Sequence, residues 1–200
     1  MAAKKAARKS AKKSAAKTAR SGKTARPAAR KTASKKARKP AARKAAVKAI
    51  PAGYTSVTPY LHIKNAGGAI DFYKRAFGAT ELVRMGMPDG RVGHAELKIG
   101  NAVVMMADEF PERGHQSPST LGGTSGSILL YVTDVDSMFT RAINAGAKLI
   151  QPVTDQFYGD RSGYIEDPFG HRWTLATHTE DVSPAEMERR MKAFEPGSGG

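Results

Sequence analysis

Two histidines, one glutamate and one hexapeptide hold the side chains of this chain best suited to chemistry. His94 and Glu96 sit two residues apart in an alternating run, so they share one face of a strand. His62 alternates with Thr58 and Tyr60 on a face of an earlier strand. Two imidazoles and a carboxylate are the donor types of a facial metal triad. The same three side chains also make polar lining for a small-molecule pocket, and that is the reading preferred for them. Gln156-Phe157-Tyr158-Gly159-Asp160-Arg161 joins two aromatic rings to a carboxylate and a guanidinium in an inter-strand loop. Tyr158 and Trp173 could give a ligand flat surfaces, and Arg161 could grip an anion with two parallel hydrogen bonds. Alternatively Asp160 and Arg161 form a structural pair and Trp173 is core; both readings stay open. The candidate ligand-binding residues are thus Tyr60, His62, His94, Phe157, Tyr158, Arg161 and Trp173, with Met105 as a further candidate or a core residue. His115 and His178 are expected on the surface.

Other chemistries lack their residues. The chain has no cysteine, which removes disulfides and thiolate metal sites. It shows no Ser/His/Asp order, no glycine-rich phosphate loop and no His-Glu-x-x-His helix, so nucleophilic and nucleotide-driven reactions have no support. No catalytic residue, metal or cofactor is assigned.

The elements that must position these residues can be followed by periodicity. Ser56–Lys64 reads as a strand with Val57, Pro59, Leu61 and Ile63 on one face. Asn65 can cap a helix carrying Ala69, Ile70, Tyr73 and Phe77, which Gly78 ends. Strands ATELVRMGM, VGHAELKIG and AVVMMADE follow, separated by turns at Pro88-Asp89-Gly90 and Gly100-Asn101. After a loop from Phe110 to about Ser125 the order recurs. SILLYVTD is followed by a helix capped by Asp134 or Asp136 and ended by Gly146. Strands AKLIQPVTD, RSGYIED and RWTLATH complete the second round. Gly78-Ala79 matches Gly146-Ala147 at an offset of 68, and Arg91-x-Gly93 matches Arg161-x-Gly163 at 70. This repeat predicts two β-α-β-β-β units, each too small to be stable alone, packed together. Ser183-Pro184-Ala185-Glu186 opens a further helix over 183–194, whose Met187 and Met191 are expected to pack on the domain or across a dimer interface.

The first fifty residues are different in kind. They hold nineteen Lys and Arg, eighteen Ala and no acid, whereas the rest of the chain has fourteen basic and eighteen acidic residues. The formal charge of +15 is therefore +19 on this segment and −4 on everything after it. With Val47 and Ile50 its only large apolar residues after Met1, the segment cannot offset the entropy of folding and is expected to be disordered when free. Pro27 and Pro40 would interrupt any long helix. No apolar stretch follows the charges, as a secretory signal would require, and the apolar face of a mitochondrial leader is missing. No apolar run approaches a membrane span. The expected partner is DNA or another polyanion, held without sequence preference. The contacts would come from Lys4, Lys5, Arg8, Lys9, Lys12, Lys13, Lys17, Arg20, Lys23, Arg26, Arg30, Lys31, Lys35, Lys36, Arg38, Lys39, Arg43, Lys44 and Lys48. The expected location is cytoplasmic, on the nucleoid. In composition the segment resembles linker-histone and bacterial histone-like tails.

The two β-α-β-β-β units, the phrase AIDFYKRAFGA after the first strand and DPFGHRW near the end resemble the vicinal oxygen chelate superfamily. That group includes glyoxalase I, extradiol dioxygenases, and bleomycin- and fosfomycin-resistance proteins. HAELKIGNAVVMMADEFPE and DQFYGDRSGYIEDPFGHRWTLATH look most like its PhnB-like branch. The resemblance covers about residues 57–178 and implies an α+β fold, with paired βαβββ units (about 56–109 and 126–178) forming a curled mixed sheet, and often a homodimer. In metal-dependent members it implies His/Gln and Glu ligands on the first and last strands of each unit. Carried over, those positions fall on Thr58, Val104 or Met105, Ser127 and Thr174, none a strong ligand. The expectation is a metal-independent binding protein or cryptic enzyme of the glyoxalase/bleomycin-resistance type, tethered to DNA. The alternatives are a metal-dependent lyase or dioxygenase using His62, His94 and Glu96, and a nucleoid protein whose folded domain mainly dimerises.

Overall fold

A computed structural model describes residues 47–193. Of the nineteen basic side chains named above only Lys48, which is exposed, falls within that range; the others and the expected disorder of the segment lie outside the described residues.

The chain folds as a duplicated β-α-β-β-β unit. The first unit holds β1 (Tyr60–Ile63), α1 (Ala66–Phe77), β2 (Thr80–Gly86), β3 (Val92–Ile99) and β4 (Ala102–Asp108). The connector carries a 3-10 turn (Pro111–Arg113) and the short helix α2 (Pro118–Leu121). The second unit holds β5 (Ser127–Tyr131), α3 (Val135–Asn144), β6 (Lys148–Asp155), β7 (Asp160–Glu166) and β8 (Arg172–His178), and α4 (Pro184–Ala193) follows. The sheets run β1-β4-β3-β2 and β5-β8-β7-β6. In each, the first and last strands of the unit pair parallel and the other neighbours antiparallel.

Local chemistry sets the helix ends. Asn65, left-handed at φ 72°, accepts from the Gly68 N–H at 3.1 Å to cap α1. A Cβ on Gly68 would lie 2.6 Å from Asn65 Nδ2, so a side chain there would have to displace the capping amide. Gly78 closes α1 in the left-handed region, as expected. Asp134, not Asp136, caps α3 through the Ser137 N–H at 3.0 Å. The end of α3 differs from that of α1: Ala145 is the cap in right-handed geometry, and the positive φ comes one residue later, at Gly146.

Both helices bury their apolar stripes in one core shared by the two units. Ile70, Phe72, Tyr73 and Phe77 from α1 meet Phe139 and Ala142 from α3, with Leu97, Met106, Ile165 and Leu175 from the sheets. Asp167, almost fully buried in the β7–β8 turn, joins the units. Its Oδ2 accepts from Tyr73 Oη at 2.6 Å and Trp173 Nε1 at 3.0 Å; its Oδ1 accepts from the N–H groups of Phe169 and His171. Arg141 Nε adds a bond to the Ala76 carbonyl at 2.8 Å.

Three expectations need correction. The first strand begins at Tyr60, and Val57 is exposed: Pro59 has no N–H to donate, and Ser56–Thr58 run ahead of the sheet. The connector is partly helical because Ser117 and Pro118 supply a cap and a first-turn proline. Third, Met187 of α4 is half-buried while Met191 is exposed in the single chain, so only the first packs on the domain. Arg190 also ties the helix down, through Glu180 and the Phe157 carbonyl.

Candidate functional site

Strand pairing brings the chemical side chains of the first unit together. Tyr60 faces Met105, which faces Glu96; His62 faces Ala107 on the same side of the sheet. With the proton on Nε2, His94 donates to Glu96 Oε1 at 3.1 Å and accepts at Nδ1 from Tyr60 Oη at 3.2 Å. Tyr54, from the segment leading into β1, donates its hydroxyl to the other oxygen of Glu96. These two bonds, Tyr54 foremost, hold the Glu96 carboxyl below the usual carboxylate range. The result is a closed polar chain Tyr60–His94–Glu96–Tyr54 along one face of the sheet.

His62 has a different environment. Its ring stacks on His115 with centroids 4.4 Å apart and planes 17° from parallel, and Tyr60 lies 5.3 Å away. Burial, with His115 and His171 nearby, lowers its pKa, and its Nδ1 is enclosed without a hydrogen-bond partner. The connector completes the wall. Phe110 N–H donates to the His115 carbonyl at 2.7 Å and His115 N–H to the Phe110 carbonyl at 3.1 Å, pinching 110–115 into a small closed loop. Gly114 makes the closing bend at φ 78°. Glu109 anchors the loop by accepting from the Ser117 N–H and the Thr120 hydroxyl. Tyr60, His62, Gly93, Ala107, Phe110, Arg113 and His115 surround a cavity of about 400 Å³. A cleft of about 440 Å³ also opens beside Asp167–Gly170; half of its lining is glycine and proline, with Lys148, Glu166, Asp167 and Arg172 at its walls, and no imidazole lines it.

Of the seven residues expected to bind a ligand, the structure brings three together: Tyr60, His62 and His94. Trp173 is 1% exposed and packs on Tyr73 and Phe77, so it is core and not a stacking surface. Arg161 is neither a free anion receptor nor the partner of Asp160. It grips Asp136 on α3 through two bonds of 2.8 Å and reaches Asp155 at 3.0 Å. Asp160 instead accepts from Tyr131 Oη and His178 Nδ1, both at 2.8 Å. Neighbours in sequence alternate sides of a strand, which separates Asp160 from Arg161. Phe157 and Tyr158 meet edge to face in the β6–β7 turn of the second unit and line no part of the cavity. Tyr54, Phe110, Arg113 and His115 are residues that periodicity did not single out. The available signal was the long connector itself, since loops of that length often carry function.

Neither candidate donor set suits a metal ion. Thr58 lies ahead of β1 with its hydroxyl on the Thr55 carbonyl. The register resolves the other ambiguity: Met105 faces the site and Val104 is buried. Hydroxyls and a thioether do not make the donor set of a Zn, Ni, Mn or Fe(II) centre. The displaced set fares no better. His94 is bonded at both nitrogens and Glu96 at both oxygens, while His62 is stacked on His115. Among the described residues no three His, Asp or Glu side chains converge as ligands. These residues do not fit a metal.

Comparison with known proteins agrees with this architecture. The profile of the Glyoxalase/Bleomycin resistance protein/Dioxygenase superfamily matches residues 60–175. An uncharacterised protein of Mycobacterium tuberculosis is 44% identical over 141 residues, covering 69% of this chain and 83% of its own. A solved Arabidopsis thaliana gene product is 28% identical, with TM-score 0.50 over 62% of this chain and 98% of its own. A Pseudomonas aeruginosa protein at 24% identity shares the fold, with TM-score 0.51 over the same fractions. The family profile spans both units, including the strands that build the cavity, and the chain belongs to the Glyoxalase/Bleomycin resistance protein/Dioxygenase superfamily.

Proposed function

We propose that the protein binds a small molecule in the first-unit cavity without a metal, and that its basic segment holds it on DNA. The observation that carries the first half is the convergence of Tyr60, His62, Phe110, Arg113 and His115 on one cavity. A few polar groups set in aromatic walls, at this volume, are the usual form of a small-molecule site. The second half rests on the +19 charge of the first fifty residues. Leu129, Leu149 and Ile150, exposed on the second sheet, favour a homodimer as the working form.

The cavity reading is tested by thermal-shift screening of the full chain against small aromatic compounds. Hits should stabilise the wild type and Arg161→Ala alike, because Arg161 serves α3 and β6. They should fail to stabilise Tyr60→Ala or His115→Ala. Stabilisation that survives both cavity substitutions and disappears in Arg161→Ala would place the site elsewhere.

A further inference from the structure

The first-unit cavity has an unequal distribution of partners. Three carboxylates beside it are engaged by protein donors. Glu96 accepts from Tyr54 and His94, Asp108 from the N–H groups of Ala66 and Val92, and Glu109 from Ser117 and Thr120. Glu112, on the same turn as Arg113, contributes its field to Arg91. Two guanidinium groups lie on the Phe110 ring, Arg91 at 4.3 Å and Arg113 at 5.4 Å from its centroid. Arg91 is paired with Asp89 at 2.7 Å. Arg113 lines the cavity and forms no ion pair among the described residues.

From this we infer that the cavity selects a planar conjugated anion, its ring packed against the wall of Tyr60, His62 and His115 and its charged oxygens on Arg113. The inference rests on the cavity being a ligand site and adds the class of ligand. The three rings give the cavity an aromatic wall: His62 stacks on His115 with centroids 4.4 Å apart, and Tyr60 lies 5.3 Å from His62 with its plane tilted by 38°. Flat ligands gain on such a wall by offset stacking, which a saturated ring of equal size forfeits. The guanidinium fork matches two coplanar oxygens, so a carboxylate or enolate is bound in a fixed direction where an amide is not. The pinched loop holds Phe110 and Arg113 in place before the ligand arrives, which reduces the ordering cost of binding. A volume of about 400 Å³ accommodates a bicyclic ring system.

The test uses the full chain and three probes: 2-naphthoate, 2-naphthamide and cyclohexanecarboxylate. Binding is followed by calorimetry and by the imidazole NMR signals of His62 and His115, which separate cavity binding from anion capture by the basic segment. Naphthoate should bind about ten- to a hundredfold more tightly than naphthamide, the range expected for one charge-assisted bond. Cyclohexanecarboxylate should be weakest at the imidazole signals. Arg113→Gln should bring naphthoate down to the naphthamide affinity and leave naphthamide unchanged, and Arg113→Lys should restore part of the preference. Equal affinity of naphthoate and naphthamide for the wild type overturns the anion selection and leaves the cavity a ligand site. If no probe moves the His62 or His115 signals at millimolar concentration, the ligand site falls and the inference with it.

Discussion

His178 stands between two carboxylates, with Nδ1 on Asp160 at 2.8 Å and Nε2 on Asp181 at 3.0 Å. The bond to Asp160 is the larger cause of its raised pKa, and Asp181 adds to it. A folded-state pKa above the unfolded value means that folding favours the protonated ring. The resulting stabilisation is full below the unfolded value of about 6.5 and is lost as pH rises through the folded one. The thermal midpoint of wild type should therefore exceed that of His178→Gln most on the acid side of this window. The gap should narrow as pH climbs past the folded value. A constant gap from about pH 6 to pH 9 would show that the pair carries no linkage. The same residue shows where reading by type stops. His178 and His115 are both exposed, as expected, but exposure does not tell their contacts: one ties β7 to the segment after β8 and the other walls the cavity. Their partners, Asp160 and Asp181 for one and His62 for the other, are set by the way strands pair and loops close, which periodicity does not report.

The paired repeats depend on close approach of helix to sheet, and Gly163 shows how close. A Cβ there would lie 2.7 Å from Phe139 Cε2 and 3.0 Å from Val153 Cγ2. Gly163→Ala should cost about 1–3 kcal/mol by forcing α3 off β7, visible as a lower denaturant midpoint. Its sequence counterpart Gly93 faces a more forgiving neighbour, Met87 Cγ at 3.0 Å, so Gly93→Ala should cost less. Equal costs at the two positions would contradict this packing. Element order, both helix starts and the duplication were legible because alternation, caps and glycines are local signals. Asn65, Asp134 and Gly78 act as their types suggest. The candidate site was half legible: Tyr60, His62 and His94 come from strands, where period two fixes the face. Phe110, Arg113 and His115 come from a connector whose pinch depends on two backbone bonds with no signature in residue type. The structural role of Arg161 was one of two open readings, but its partners, Asp136 and Asp155, were out of reach because they lie 25 and 6 residues away.

Across the whole molecule, charge is divided in a way that makes the DNA proposal quantitative. The nineteen cations of the first fifty residues are set against a remainder carrying −4, which polyanions repel. If about eight of those cations contact phosphates, log K should fall with log salt at a slope of about −7. Removal of residues 1–50 should abolish binding without unfolding the rest of the chain, which the thermal midpoint of the shortened protein checks. Duplex binding that persists after the deletion, or a slope near zero, would refute the tether. Base sequence should matter little, because the contacts invoked are with the phosphate backbone.

Trp173 is the chain's one indole, and it lies against Tyr73 and Phe77 of the other unit while lining no part of the cavity. The protein therefore carries an intrinsic optical gauge placed at the seam between its two halves. Emission excited at the red edge reports whether the halves are docked, since parting them would wet a ring that is now 1% exposed. Events in the cavity and on the basic segment occur where no indole is present. Loss of docking is thus read from the indole with no direct signal from the cavity, and it requires no attached dye.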